Sequence, residues 1–174
     1  MRRACLFALL AAVLTGSVGM IVHREIMLAR GIEALLSLAP RDPRALMTGD
    51  YMALDYLVNR DIARVLREDS SPRARHRRAV LRLVAGKTPG GETIPNLLDF
   101  VRLDDGSPLN DGEIFLAFRT RGNRVISASP AFHFPEGRGK VYEQARYGRL
   151  RISPSGASLL EALCDAAGRD IRPE

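Results

Sequence analysis

A long stretch without charge near the N-terminus constrains this chain more than any other feature. Residues Ala4 to Val22 carry no charged side chain and, at 1.5 Å per residue, would form a helix about 28 Å long. That length is close to the hydrocarbon thickness of a bilayer, in which a helix satisfies every backbone polar group. Arg2 and Arg3 precede the stretch, whereas the charges just after it cancel. By the positive-inside rule, the sequence predicts a single-pass inner-membrane protein with a cytoplasmic N-terminus and a periplasmic, extracytoplasmic C-terminal domain.

A cleaved signal peptide is the alternative interpretation of the same stretch. Such a peptide has a shorter apolar core that is followed by a cleavage site of small residues. Here the small residues of 15–19 lie inside the apolar run, which continues beyond them. We therefore predict an uncleaved anchor. The predicted organisation is a cytoplasmic segment 1–3, a transmembrane helix 4–22, a juxtamembrane helix 23–30 and an extracytoplasmic domain 31–174.

The composition is that of a folded protein and suggests no cofactor. Hydrophobic residues make up 46% of the chain and charged residues 26%, which argues against wholesale disorder. All but two of the 26 basic residues are arginine, a skew expected of a GC-rich genome, so arginine content alone is discounted as a functional signal. Cys5 and Cys164 lie in different predicted compartments, and no metal-ligand cluster is present. We expect no metal and no cofactor, with Cys164 as a small buried residue.

The segment from Tyr51 to Val58 alternates in the manner of a half-buried strand. One set of alternate residues is predicted to point into the core: Met52, Leu54, Tyr56 and Val58. The other set is predicted to point outward: Tyr51, Ala53, Asp55 and Leu57.

Two helices are predicted after this strand. Apolar residues recur at helical spacing between Asp61 and Glu68, and a second helix over 71–86 has Ser71 as N-cap and Gly86 at its end. These two helices are compatible with a helical insertion over residues 61–96. The polar face of the second helix carries candidate residues for anionic lipid headgroups: Arg73, Arg75, Arg77 and Arg78. Nucleic-acid binding is not expected, because this stretch lacks interleaved aromatic residues.

The remainder of the chain is predicted to form short strands that are separated by turns. Strands are expected over 97–103, 113–120 and 124–128, followed by a short helix over 140–146 and a closing hairpin of 149–153 and 157–164. The predicted fold class is α+β: an N-terminal transmembrane helix followed by a mostly antiparallel β-sheet or partly open barrel with two or three short helices.

Two stretches of the chain resemble a known family. Residues 40–56, PRDPRALMTGDYMALDY, resemble the defining stretch of the GDYXXLXY proteins, which are bacterial membrane-anchored proteins of unknown function. Residues 132–152 resemble its second recurrent stretch, a turn with Glu136 and Gly137. The first stretch contributes these matching positions: Asp42, Arg44, Gly49, Asp50, Tyr51, Leu54 and Tyr56. The resemblance implies an integral membrane protein with no established reaction, and it favours a polytopic membrane protein as partner beside the lipid bilayer.

The motif residues allow a structural and a functional interpretation. In the structural one, Gly49 and Asp50 hold a turn, Asp42 and Arg44 pair across another, and Tyr56 packs in the core with its hydroxyl bonded. In the functional one, Tyr51, Asp55 and Asp50 line a groove for a ligand or partner. The leading hypothesis is a non-enzymatic accessory or interaction subunit of an envelope membrane complex.

An enzymatic alternative uses Ser37. An anchor followed by Ser37-Leu38-Ala39-Pro40 and a Gly-Asp turn resembles the order of elements in type I signal peptidases. That chemistry requires a neutral lysine as the base, and the position expected for it falls near Leu81. The alternative functions are therefore a serine hydrolase using Ser37, or lipid-surface binding through the arginine-rich segment 73–82.

Overall fold

The computed structural model describes residues 2–39, 51–68, 78–88 and 91–172. Three helices are present in these ranges: α1 (Arg2–Arg30), α2 (Leu57–Glu68) and α3 (Gly139–Tyr142). The strands of the first half are β1 (Ile32–Ser37), β2 (Tyr51–Ala53), β3 (Arg78–Lys87), β4 (Thr93–Leu103) and β5 (Glu113–Ala117). The strands of the second half are β6 (Arg119–Arg121), β7 (Arg124–Ile126), β8 (Ala131–His133), β9 (Tyr147–Ile152) and β10 (Ser158–Cys164).

One six-stranded sheet organises the domain, in the order β10-β9-β1-β4-β3-β5. Strand β1 pairs parallel to β4, with Leu35 opposite Leu97, and antiparallel to β9. The remaining neighbours in the sheet are antiparallel, and two small sheets, β2–β8 and β6–β7, lie outside it. The predicted α+β class is wrong: the described chain is mostly β-sheet with few helices, and its strands close no barrel.

The main core lies between one face of the large sheet and α2 with the two small sheets. Helix α2 buries Val58 and Ile62 and contacts β1, β4 and β7. Successive residues of β1, from Ala34 to Leu36, are all buried, so both faces of this strand are covered. The opposite face of the sheet carries a smaller apolar cluster, which contains Leu35 and Cys164. Cys164 is buried as predicted, and burial raises the pKa of its thiol to about 11.

The predicted transmembrane helix over 4–22 is wrong. Helix α1 runs from Arg2 to Arg30. Among the residues that the structure describes, no helix combines the length and the apolar character needed to cross a membrane. The predicted single-pass localisation in a bacterial inner membrane is wrong with it.

The predicted helix over 71–86 is also wrong where the structure describes it, since Arg78–Lys87 is strand β3. This strand lies between β4 and β5, and Ala79, Val80 and Leu81 are completely buried. A strand covered on both faces has a continuous apolar run that periodicity alone cannot distinguish from a helix. The helical insertion over 61–96 therefore fails beyond α2, because β3 and β4 belong to the main sheet.

Arg78 and Arg82 of β3 form ion pairs within the domain. The Arg78 guanidinium donates to Asp104, with Nη2 2.7 Å from Oδ2, and lies 4.3 Å from the centre of the Phe115 ring. Arg82 Nη2 lies 2.9 Å from Oε1 of Glu113, the residue opposite it on β5. Arg78 is thus engaged in the fold, and Arg73, Arg75 and Arg77 lie outside the described residues.

Glu113 makes a pH-dependent contribution to stability. Its side chain is fully buried. The backbone and side-chain N–H groups of Asn110, followed by Arg82, lower the pKa of Glu113 to about 2. Because this value lies below the usual range near 4.3 of an unfolded glutamate, the stabilisation is present above about pH 4.5 and is lost as the pH falls towards 2.

We expect the Glu113→Gln variant to lose stability less steeply than the wild type between pH 4.5 and pH 2. Glutamine keeps the size of the side chain but has no proton to gain. The measurement is the urea midpoint of unfolding at each pH. Glu92→Gln is the control, since Glu92 is exposed and forms no salt bridge with a described residue. If the urea midpoints of the wild type and of Glu113→Gln fell equally steeply between pH 4.5 and pH 2, this assignment would be wrong.

Candidate functional site

The motif strand is held between two parts of the fold. Strand β2 pairs with β8, and Leu54 continues the contact by donating its N–H to the carbonyl of Pro130 at 2.8 Å. On the other side, the N–H of Ala39 donates to the carbonyl of Asp55 at 2.8 Å. The predicted inward residues Met52, Leu54, Tyr56 and Val58 are all buried, while Tyr51 and Leu57 are exposed. The predicted alternation in burial is confirmed, but the predicted strand is too long, because it ends at Ala53 and a helix begins at Leu57.

Tyr56 is the anchor of the motif in the core, as predicted. Only 1% of its surface is exposed, and its hydroxyl donates to the carbonyl oxygen of Ser129 at 3.1 Å. Burial raises the pKa of this phenol. The ring lies against Gly148 of β9, where an added Cβ would be 3.1 Å from Tyr56 Cε1. Tyr56 therefore joins the motif to strand β9 of the large sheet.

Tyr51 lies on the outward face, against His133 of β8, with the two ring centres 5.7 Å apart. Phe132 and Phe134 lie on the opposite side and pack against Tyr142 at 5.2 and 5.1 Å, as alternation along a strand requires. His133 and the two phenylalanine rings therefore lie on opposite sides of this segment.

A cavity of about 230 Å³ lies between the motif and the β6–β7 hairpin. The motif contributes Leu54, Asp55 and Tyr56 to its wall. The remaining wall comes from α2, the hairpin and the segment after it: Asn59, Arg119, Arg121, Arg124, Val125, Ile126, Ala128 and Pro130. We name this cavity the motif groove. Of the residues that the functional interpretation places in a groove, Asp55 lines this cavity, Tyr51 does not, and Asp50 lies outside the described residues.

Three arginines project from one face of the β6–β7 hairpin. Arg119 and Arg121 are two residues apart on β6, so their side chains lie on the same face. Arg124 is the cross-strand partner of Arg121, and Ile126 is the partner of Arg119, which places both on that face as well. All three arginines are exposed and line the motif groove. The three arginines therefore share one exposed face of the hairpin, at the border of the motif groove.

The arginines of the groove differ from most others in the domain. Arginines of the main sheet such as Arg78, Arg82 and Arg151 form salt bridges with carboxylates. Within the described ranges, no carboxylate forms a salt bridge with Arg119, Arg121 or Arg124. Among the described residues that line the groove, the one acidic residue is Asp55, which pairs with Arg60 of α2 at 3.6 Å. The groove therefore has positive charge that is not neutralised by the described part of the chain.

The base of the groove is fixed by a buried polar contact. Ser127 donates its hydroxyl to Oδ1 of Asn59 at 2.7 Å, and both residues are buried. Ser158 of β10 donates to the carbonyl of Ser127 at 3.0 Å. These bonds tie α2, the segment after β7 and the edge of the large sheet together. The hairpin is thus held at a defined position relative to the motif.

The other predicted site residues are not brought into the groove. Glu136 and Gly137 are exposed in the turn before α3, where Gly137 has a φ of +77°. Ser37 is half-buried on β1 opposite Tyr147 of β9, and no hydrogen bond joins it to a described lysine or histidine. The motif residues that lie outside the described residues are Asp42, Arg44, Gly49 and Asp50.

Sequence reasoning missed the arginines of the hairpin. The stretch RTRGNR over 119–124 was interpreted only as two strands and a turn. A signal was available, because arginines at positions i and i+2 before a Gly-Asn turn and one just after it must share a face of the hairpin. Within the described ranges, no group of three His, Cys, Asp or Glu residues is arranged to hold a metal ion.

One family model matches most of the chain. The sequence model of the GDYXXLXY protein family matches residues 13–163, a range that includes the motif and every residue of the motif groove. The chain belongs to the GDYXXLXY protein family. No curated protein and no solved structure gives a significant match. Two residues of the family motif GDYXXLXY, Leu54 and Tyr56, therefore form one wall of the groove. Tyr56 is also the buried residue that anchors this wall in the core.

Proposed function

We propose that this GDYXXLXY protein is a non-enzymatic interaction subunit and that a protein partner binds in the motif groove. One observation carries the proposal: the family motif and three arginines without a described carboxylate partner line the same cavity. Arginine is enriched in the contact regions of protein interfaces, where its planar group pairs with carboxylates. The arrangement therefore fits a surface that receives an acidic group from another molecule.

The chemistry of the groove supports binding rather than catalysis. Arginine stays protonated in proteins and cannot act as a base. Tyr56 turns its hydroxyl into the core and donates it to Ser129, while Asp55 is paired with Arg60. The groove thus offers positive charge, hydrogen-bond donors and an apolar base made by Leu54, all of which serve recognition.

Site-specific crosslinking tests the proposal. A photoreactive residue replaces Arg124 in the full chain, which is produced at native level in the host. We expect one crosslinked adduct, and we expect Arg119→Gln together with Arg121→Gln to abolish it, because these changes remove the remaining charge of the groove. The readout is the mass of the adduct on a denaturing gel, followed by identification of the attached protein.

Arg169 provides the matched control position. Its side chain is 79% exposed in the turn after β10, and it does not line the groove. A chain that crosslinks equally from positions 124 and 169, or that gives no adduct from position 124, would contradict the proposal. An adduct that persists when Arg119 and Arg121 are both glutamine would contradict the role of the arginines.

A further inference from the structure

The hairpin geometry indicates what kind of partner segment the groove receives. We propose that the ligand is an extended peptide segment with carboxylate side chains at alternate positions, i and i+2. This inference rests on the proposed function and specifies its partner. Arg119 and Arg121 recognise the two carboxylates, and Arg124 shares the second one with Arg121.

The spacing of the arginines argues for this pattern. Arg119 and Arg121 are separated by two residues of a strand, which is a distance of about 6.6 Å. Alternate side chains of an extended peptide repeat at the same distance and point to the same side. A peptide that lies along β6 can therefore place one carboxylate against each guanidinium, whereas adjacent carboxylates would point to opposite sides.

The pairing of Arg121 with Arg124 supplies the second argument. These residues lie directly opposite each other on the two strands of the hairpin, and like charges in that position destabilise a sheet. A carboxylate that is placed between two guanidinium groups accepts hydrogen bonds from both and removes the repulsion. No carboxylate in the described part of the chain supplies this counter-charge, and an acidic ligand would do so.

The length of the surface favours an extended chain over a small anion. A second depression adjoins the groove and shares Arg119, Ile126, Ala128 and Pro130 with it. That depression continues to Leu159 and Leu160 of the edge strand β10, so the combined surface is longer than a single anion requires.

Peptide binding to the full chain tests the inference. Three fluorescein-labelled peptides share one Ser/Gly/Leu background: one with glutamates at i and i+2, one with adjacent glutamates, and one with glutamines at i and i+2. We expect fluorescence anisotropy to show binding of the i,i+2 peptide about tenfold or more tighter than its glutamine version, since charged hydrogen bonds are lost. We expect the adjacent-glutamate peptide to bind several-fold more weakly, and added salt to weaken the i,i+2 peptide.

Matched variants separate the groove from general surface charge. Arg121→Gln with Arg124→Gln is expected to lower affinity for the i,i+2 peptide about tenfold or more. Arg67→Gln with Arg138→Gln removes the same charge from exposed positions outside the groove and is expected to have little effect. Far-UV circular dichroism of both variants verifies that they are folded.

The outcomes distinguish this inference from the function on which it rests. Equal affinity for the two glutamate peptides would overturn the spacing rule, and equal loss in the two double variants would overturn the site. Competition by free glutarate at the peptide's own concentration would show a small-anion site and overturn the peptide assignment. A crosslinked partner from position 124 without any spacing preference would leave the proposed function standing and would reject only this inference.

Discussion

Replacing Tyr56 with alanine is expected to lower the free energy of unfolding by about 3–5 kcal/mol, the cost of deleting a large buried aromatic side chain. Tyr56 has 1% of its surface exposed and packs against Gly148 of strand β9. Its removal leaves a cavity at the junction of the motif with β9, and it leaves the carbonyl of Ser129 without its hydroxyl donor. Urea unfolding of the purified chain, followed by circular dichroism, measures the loss.

Tyr56→Phe is the matched control for this prediction. Phenylalanine keeps the ring and loses only the 3.1 Å hydrogen bond to Ser129, so we expect a loss of about 0.5–1.5 kcal/mol. The difference between the two variants isolates the packing contribution. If both variants lost the same amount, the hydroxyl rather than the ring would be the main contribution, and the packing argument would be wrong.

Gly156→Ala is the second substitution with a large expected effect. Gly156 lies in the β9–β10 turn with a φ of +91°, and an added Cβ would lie 2.9 Å from the backbone nitrogen of Ala117. That nitrogen donates to the carbonyl of Gly156 at 2.7 Å, so the turn cannot move away without breaking the bond. We expect a loss of about 2–5 kcal/mol, from backbone strain and the steric clash together.

Gly106→Ala separates these two causes. Gly106 has a φ of +87°, but an added Cβ would meet nothing within 4 Å. We therefore expect only the strain contribution, about 1–2 kcal/mol, in the same urea experiment. Equal losses at the two glycines would show that the contact between the turn and β5 contributes nothing.

The sequence was sufficient to predict the motif strand and several neighbouring elements. Period-two alternation placed Met52, Leu54 and Tyr56 in the core, because one face of this segment is buried and the other is exposed. The hairpin of β9 and β10 was predicted from the Pro-Ser-Gly turn at 154–156 and is confirmed. Local patterns succeed where one face of an element meets water.

Local patterns fail where an element is covered on both faces or where its environment is unusual. Strand β3 has Ala79, Val80 and Leu81 all buried, so its apolar run has no period from which a strand can be recognised. The membrane-spanning helix over 4–22 was predicted from the length and the lack of charge of that stretch, but no helix among the described residues is long and apolar enough for that role. Burial by distant strands is a tertiary property that no local window contains.

The candidate site was predicted only in part for a different reason. Asp55 was predicted to line a groove, but its opposite wall comes from Arg119, Arg121 and Arg124, more than sixty residues away in the chain. Arginine is so frequent in this sequence that its enrichment in one hairpin does not stand out from composition. Whether an arginine pairs with a carboxylate can be seen only in the three-dimensional structure.

The position of β1 determines when the domain can be completed during synthesis. This strand leaves the ribosome early, but both of its partners come later in the chain. It pairs antiparallel with β9, where Ile32 lies opposite Ile152, and parallel with β4, where Leu35 lies opposite Leu97. Closing such long loops costs entropy before any contact is gained, which slows folding. The edge of β1 that pairs with β9 therefore stays open to other chains until nearly all of the polypeptide has been made.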